Sequence, residues 1–583
     1  MAEPPAAQCC PAAKAPRRRR RLRAVLLALG VYTLLCFGYS LIPERIPTPR
    51  LTQVTGFQTE NTPVQAGAGS ADITPPKELW GDLNLFGERG PITGIAQPIA
   101  ARALAFSVAE GRRWLLIVSC ELTFVTRELR QAVLDRLAQA GHDNLELLLV
   151  ATHTHAAPGN YWRGKVGELI CGRFSQPYFD HLLAGIGAAS QQALSRTEPV
   201  VMSSGSAETS RLTKHMTRVD RGAERRFFCD ESVQAMALRR TDGSLLAALV
   251  TFAAHPLALL HETEGQVAGD YPGELSRLIE ARDPGAVALF LPGALGGVRA
   301  TSPGNTEGYR SQPGRLGKVA MQADMLLEAI TPLLAEKGRP PDRLAVATAL
   351  VPLPAADPHF FPEARPFTGV RFLTGPLSWV ANRVLDALLL PDEAIFQVVQ
   401  VGDTTLLGVP ADLSNTIGIR LKSWVDSANV WPLSHANGYD LGYVLDEDEY
   451  DLSGILKGGY DRLMDFCGRP AGPFTMRTLF ALASSIGVKE LGLPKSRPPY
   501  GPARPGGASS PRPAPGTGTS PTTSTVTGTR VTSSLNSNVL VWVKTAPTGS
   551  ALGGTIPFRN MNSKRFAGPS PAEGLRPAGG ASP

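Results

Sequence analysis

The chain has 583 residues, of which 43% are hydrophobic and 19% charged. That is enough apolar content for a large core, and it excludes a wholly disordered protein. The net charge of +7 is uneven: residues 1–23 carry +6 and residues 496–583 carry +8, which leaves the middle at −7. A mildly acidic middle excludes a nucleic-acid-binding core.

Residues 24–42 read AVLLALGVYTLLCFGYSLI, 19 residues without a charge, preceded directly by Arg17–Arg21 and Arg23. That length matches a bilayer core, and the positive flank predicts a cytoplasmic N-terminus with the rest of the chain on the exported side. A cleaved signal peptide is the rival reading. It calls for a shorter apolar run and a small-x-small site, and SLIPERIP offers none. The expected organisation is a cytoplasmic basic tail (1–23), a transmembrane signal-anchor (24–42), a linker (43–62), a catalytic domain (63–493) and a disordered tail (494–583). The tail is dominated by Pro, Gly, Ser and Thr and shows no hydrophobic period. Four of the seven cysteines (Cys120, Cys171, Cys229 and Cys467) follow the anchor, and no C-x-x-C occurs. A cysteine zinc knot is thereby excluded, while any disulfide pairing stays open.

Within 63–493 strand-like and helix-like segments alternate. RWLLIVSCELTFV (113–125) reads as a strand, TRELRQAVLDRLAQAG (126–141) as a helix with a Gly stop, and LELLLVATHTH (145–155) as a strand. YFDHLLAGIGAASQQALSR (178–196) reads as a helix and LLAALVTFAAHP (245–256) as a strand. YPGELSRLIEAR then AVALFLPG repeat the helix–strand pair, and AIFQVVQVGDTTLLGVP reads as a hairpin turning at Gly402-Asp403. The alternation predicts α/β (α+β-like) layers: a mixed β-sheet with flanking helices and an active site at the strand ends.

Polar residues gather where these strands stop. His153 and His155 close one strand, and alternation predicts that they share a face. His255 closes another, and Asp270 falls in AGDYPG, read as a turn. An H-x-H pair can offer two imidazoles to one divalent ion, or it can be a hydrogen-bonded surface pair; the spacing leaves both open.

Taken together in order, the strings resemble the neutral/alkaline ceramidase family. ATHTHAAPGNY (151–161) is similar to its THTHSGPGG motif and FAAHP (252–256) to its second histidine strand. GSADITPP (69–76), GDYPGELSR (269–277), GVPADLSNTIG (408–418) and GYDLGYVLDEDEYDLSGILKGGYD (438–461) resemble further family segments, so the likeness runs over about 65–490. The resemblance implies a zinc-dependent hydrolase cleaving the amide of an N-acylsphingosine or related N-acyl lipid. It implies His153, His255, Asp412 and Tyr443 as metal ligands and His155 as a neighbouring histidine, with His155 or Asp270 carrying protons. Asp412 stands where the family usually has Glu, and a helix N-cap is the alternative role for it.

One segment departs. FLPGALGGVRATSPGN (290–305) lies where the family carries its serine. Without a gap Arg299 takes the serine's place, and with a three-residue insertion Ser302 does, while Ala294 and Gly297 replace the preceding asparagines. Arg299 would then bind a carboxylate or phosphate, or be a solvated loop residue. The family's second, Ig-like β domain is expected to be absent from the tail. The departures keep two other functions open: a zinc hydrolase of another amide or ester, and an inactive scaffold that binds lipid or a partner.

Overall fold

The structure is a computed structural model that describes residues 15–40, 46–87, 90–108, 111–209, 211–215, 229–260, 265–304, 306–312, 314–355, 391–447, 449, 461 and 464–490. The chain falls into two units, Met1–Ser510 and Pro511–Pro583, and every described residue belongs to the first. The expected disordered tail, 494–583, lies outside the described residues.

Two mixed sheets form the centre. The larger has eight strands in the spatial order Val287–Pro292, Leu245–Phe252, Ser232–Arg240, Glu198–Glu208, Gln65–Asp72, Ala100–Val108, Arg113–Cys120 and Leu145–Ala151. Its two end pairs are parallel and the rest antiparallel. The join between Gln65–Asp72 and Glu198–Glu208 is only two residue pairs long, so the two halves diverge there. The end strand Val287–Pro292 comes back against Arg113–Cys120, where the Ser119 hydroxyl donates to the Phe290 carbonyl at 2.6 Å. This closure brings the C-terminal ends of strands far apart in spatial order to one place.

The second sheet runs Thr52–Glu60, Arg343–Pro352, Glu393–Val401, Thr404–Gly408, Asn429–Leu433. The predicted hairpin is its centre, with Gly402 in the left-handed region (φ 55°) at the turn. Residues 52–60, expected as linker, instead form its edge strand, paired antiparallel with Arg343–Pro352. The Thr/Val/Phe content of TQVTGFQTE suits a strand, and Phe57 packs onto the core between the sheets.

Apolar faces dictate the layers. Leu104, Phe106, Ile117, Leu148 and Leu249 from the first sheet meet Val346, Val399, Leu406 and Trp431 from the second, in one core between them. Each such side chain contributes about 1.5–3 kcal/mol when fully removed from water. Helices cover the outer faces. Arg127–Gln139, whose N-cap Thr126 accepts from the Leu129 amide, and Gln176–Ser195 pack on one half of the large sheet. Asp270–Arg282 and Leu316–Leu334 pack on the other half, and Asn415–Trp424 and Ala471–Ser485 on the second sheet. Gly67 and Gly69 let Gln176–Ser195 approach its strand: a Cβ at Gly67 would stand 2.2 Å from the Ala193 carbonyl oxygen.

Ala15–Ser40 is one α-helix covering the basic flank and most of the apolar run. Among the described residues no helix is long and apolar enough to cross a membrane, so the expected span 24–42 is not supported by the structure. Val25, Leu26, Leu27, Leu29, Leu34 and Leu35 on this helix are all more than half exposed.

Candidate metal centre

The site lies where the strand ends converge, and each histidine arrives on a different piece of backbone. The strand leading to His153 stops at Ala151, so strand alternation does not bring His153 and His155 together. A turn does so instead: His153 has a left-handed backbone (φ 68°) and its amide donates to the Leu122 carbonyl. Its Nδ1 lies 2.7 Å from the Thr123 carbonyl and donates to it, which leaves Nε2 bare and facing inward. His255 follows Leu245–Phe252 and repeats the device, with Nδ1 at 2.8 Å from the Leu295 carbonyl and 3.0 Å from that of Val298.

The bare nitrogens face one carboxylate. Asp412 Oδ1 stands 3.6 Å from His153 Nε2 and 3.6 Å from His255 Nε2. Asp412 is not the cap of the following helix, a role taken by Ser414, whose hydroxyl accepts from the Thr416 amide. Instead Asp412-Leu413 form a two-residue strand, parallel to Tyr443-Val444. Tyr443 Oη is 3.2 Å from His255 Nε2. His155 Nε2 lies 3.1 Å from His153 Nε2, and the ring sits edge-on to Phe86 with centroids 5.1 Å apart. His155 is half-buried, whereas His153, His255, Asp412 and Tyr443 are buried.

His435 joins the site unannounced by any motif. It sits in SHANGY beyond the strand Asn429–Leu433, with Nε2 2.7 Å from Asp412 Oδ1 and its ring stacked on His153 at 3.9 Å. Among the described residues, His153, Asp412 and His435 form the trio whose ligand atoms all lie within 4.8 Å of one another. A histidine closing a strand was the signal available, and neither a spacing nor a motif marked this one.

Burial would push the Asp412 carboxyl up, but His435, His153 and His255 together hold it well below the usual carboxylate range. Burial, and next the neighbouring His435, push His153 well below 6.5, so its imidazole is neutral at pH 7. Two imidazoles pinned through Nδ1, an ionised carboxylate and a phenol form a donor set that fits zinc.

Other expected residues stand elsewhere. Asp270 opens the helix Asp270–Arg282 rather than a turn. Its carboxylate accepts from the Leu259 and Tyr271 amides, and among the described residues no hydrogen bond or ion pair joins it to the histidines. Burial pushes it up to about 6. Arg299 is exposed. Its backbone pairs with Lys214 and bridges to His255, but no described residue bonds its side chain. Ser302 is half-buried, and its hydroxyl has no hydrogen-bond partner among the described residues. Beside this segment, a Cβ at Gly297 (φ 79°) would stand 3.2 Å from His215 Nε2 and 3.9 Å from Asp461 Oδ2. Burial raises the Asp461 carboxyl, against the opposing pull of His255. Cys120, Cys171, Cys229 and Cys467 are free thiols.

Toward the chain's aromatic side the centre meets an apolar wall. Trp162 and Tyr439 both pack on Phe124, with centroids 4.8 and 5.5 Å away, and the Tyr439 hydroxyl donates to Asp412 Oδ2 at 3.1 Å.

Fold and site define an α/β protein with a candidate divalent-metal centre at its strand ends. Residues 64–306 match the family described as neutral/alkaline non-lysosomal ceramidase, N-terminal. The neutral ceramidase of Pseudomonas aeruginosa is 27% identical over 154 residues, 26% of this chain and 23% of that protein. The neutral ceramidase of Mycobacterium tuberculosis is 26% identical over 254 residues, 42% and 40% of the two chains. The matches thus span less than half the length of these curated relatives. The crystal structure of the Pseudomonas aeruginosa enzyme superposes with a TM-score of 0.58 at 19% identity, covering 76% of this chain and 77% of that one, a likeness of fold. Residues 64–306, less than half of the chain, thus resemble the N-terminal region of neutral/alkaline ceramidases, and the chain shares the fold of a solved one.

Proposed function

We propose that the chain is a zinc-dependent amidohydrolase that cleaves the amide bond of ceramide or a related N-acyl lipid. The observation that carries this reading is the convergence of His153 Nε2 and His255 Nε2, each 3.6 Å away, on Asp412 Oδ1. The family's curated members named neutral ceramidase supply the substrate class.

In this reading His153, His255, Asp412 and Tyr443 hold the ion. Bound zinc supplies a Lewis acid for the carbonyl and a water whose pKa falls to about 7. The carbonyl bonds at Nδ1 of His153 and His255 fix tautomer and ring direction. His155, half-buried beside His153, carries the proton that the leaving amine needs. Phe86, Phe124 and Trp162 receive the acyl chain and keep water from it. Asp270 holds the 257–259 turn through two amide bonds, and Ser302 and Arg299 contact substrate beyond the amide.

A second reading keeps the centre and changes the substrate to another amide or ester. It is favoured by the segment 290–305, where Ala294 and Gly297 replace the asparagines before the family's serine. A panel of N-acylsphingosines, short amides and esters, run on wild type and on His153→Ala, separates the two. Turnover of the short substrates alone supports the second reading, and turnover that survives His153→Ala sinks both.

Localisation on the exported side, with a cytoplasmic N-terminus, is a further part of the proposal. It is supported by Arg17–Arg21 and Arg23 ahead of the uncharged run 24–42. Protease added to intact cells tests it, since digestion of the catalytic domain is expected, and full protection removes the reading.

A further inference from the structure

We propose that His435 is the positioning residue of the metal centre. It orients Asp412 through an Nε2–H bond to Oδ1 and is not itself a ligand. The inference rests on the metal-centre reading above and adds a role that the resemblance did not imply.

The first ground is ring geometry. An imidazole binds a metal along a lone pair in its ring plane. The planes of His153 and His435 are 18° apart with centroids at 3.9 Å, a face-to-face stack. A point between nearly parallel planes at that separation lies out of both ring planes and off both lone pairs, so the two rings cannot serve one ion together. His153 and His255 differ, since their planes cross at 66° with centroids at 4.9 Å, and both Nε2 atoms face Asp412 Oδ1.

The second ground is the grip on the carboxylate. His435 Nε2 reaches Oδ1 at 2.7 Å, and the Tyr439 hydroxyl donates to Oδ2 at 3.1 Å. Tyr439 also stacks on the His435 ring at 5.3 Å, and Phe124 stacks on Tyr439. The rings Phe124, Tyr439, His435 and His153 thus form one continuous column beside the carboxylate. Partners of this kind set the direction and basicity of a ligating group, and losing one weakens metal binding about 10–100-fold.

The third ground is the backbone. His435 lies in the left-handed region (φ 53°), which disfavours a side chain, and its loop is fastened on both sides. Its amide donates to the Ala411 carbonyl, next to Asp412, and its carbonyl accepts from Ala151, at the end of the strand that precedes His153. Ser434 bonds to the Pro292 carbonyl, and Asn437 to that of Leu149. Strained backbone held from both sides ties His435 to the two elements that carry Asp412 and His153.

The test uses the full-length protein with zinc and with cobalt as probe. His435→Phe keeps a flat ring for the column and loses the donor, His435→Gln keeps an N–H donor, and His153→Ala serves as the ligand-loss reference. Zinc content at saturation, zinc affinity by chelator competition and the cobalt absorption spectrum are read for each. The expected result is one zinc per chain in His435→Phe, affinity weakened 10–100-fold, a cobalt band of unchanged coordination number, and partial recovery of affinity in His435→Gln. Unchanged affinity in both variants overturns the role. Loss of stoichiometric metal in either, with a cobalt spectrum like that of His153→Ala, also overturns it and makes His435 a ligand. Should His435→Phe fail to fold, the gap between His435→Gln and wild type decides by the same criteria. A wild type without metal removes the centre itself, an outcome distinct from any change confined to the variants.

Discussion

Asp412 and Tyr443 are register partners in a parallel ladder only two residues long. Partners in such a ladder present their side chains on one face, and both reach His255 Nε2, the carboxylate at 3.6 Å and the phenol at 3.2 Å. The ladder also fixes the carboxylate against His153 and His435 in the buried interior.

Replacing Asp412 by Asn removes the charge that faces three imidazoles and keeps the shape. Hydrolysis is expected to fall at least 100-fold, with zinc affinity reduced in parallel. Chelator competition and steady-state turnover on the same preparation check this. Full activity in Asp412→Asn would remove Asp412 from the centre.

His155→Gln is expected to keep one zinc per chain and to lower kcat by about 10²–10⁴-fold with little change in metal affinity. The half-buried ring touches His153 and Phe86. Metal analysis beside kcat decides, and loss of zinc would make His155 a ligand.

Asp270→Ala is expected to act on stability. Two backbone amides, of Leu259 and Tyr271, lose their acceptor in a buried place, a loss of about 1–3 kcal/mol for each donor left unpaired. Chemical denaturation measures it. Turnover in the folded fraction should stay near wild type, and a selective loss of kcat at full stability would return Asp270 to proton transfer.

Glu449 gives a pH signature. Burial, then the nearby Asp446, pushes its carboxyl up to about 8 from an ordinary 4.5. The folded value lies above the unfolded one, so the native state favours the protonated acid. The stabilisation is fully present below about pH 4.5 and is lost as pH rises through about 8. Glu449→Gln keeps the neutral form at every pH. Between pH 6 and pH 9 its Tm is expected to fall less than that of wild type, as thermal melts at both pH values show. Equal falls would place the titration elsewhere.

Gly67→Ala tests the packing of the helix Gln176–Ser195 on the sheet. The added carbon would meet the Ala193 carbonyl oxygen at 2.2 Å, and the helix must shift at a cost of about 1–3 kcal/mol. Urea denaturation reads the difference, and an unchanged midpoint would mean that the helix seats less closely.

What the sequence made legible follows from locality. Strands with continuous apolar runs, the helix Arg127–Gln139 with its Thr126 cap and the hairpin at Gly402 are set by near neighbours, and all were readable. The placing of His153, His255, Asp412 and Tyr443 together was readable only through the family resemblance, because closure of the large sheet brings the two histidine ends together and a separate two-residue ladder carries Asp412 and Tyr443, none of which spacing shows. His435 was not readable. It reaches Asp412 because its loop is fastened to Leu149, Ala151, Pro292 and Ala411, none of them near it in sequence. The helix Asp270–Arg282 was read from Tyr271 onward, and only Asp270, one residue earlier, was read as a turn, because Gly269 has no side chain to mark a cap. The strand Thr52–Glu60 looked like linker because an edge strand buries too little apolar surface to declare itself.

The most direct test is zinc content and N-acylsphingosine hydrolysis measured on one preparation of the full-length chain, with His153→Ala beside it. The account predicts one zinc per chain and release of fatty acid from the wild type, and loss of both in the variant. A folded wild type that binds no stoichiometric divalent ion, or a His153→Ala protein that still hydrolyses the amide, would contradict it.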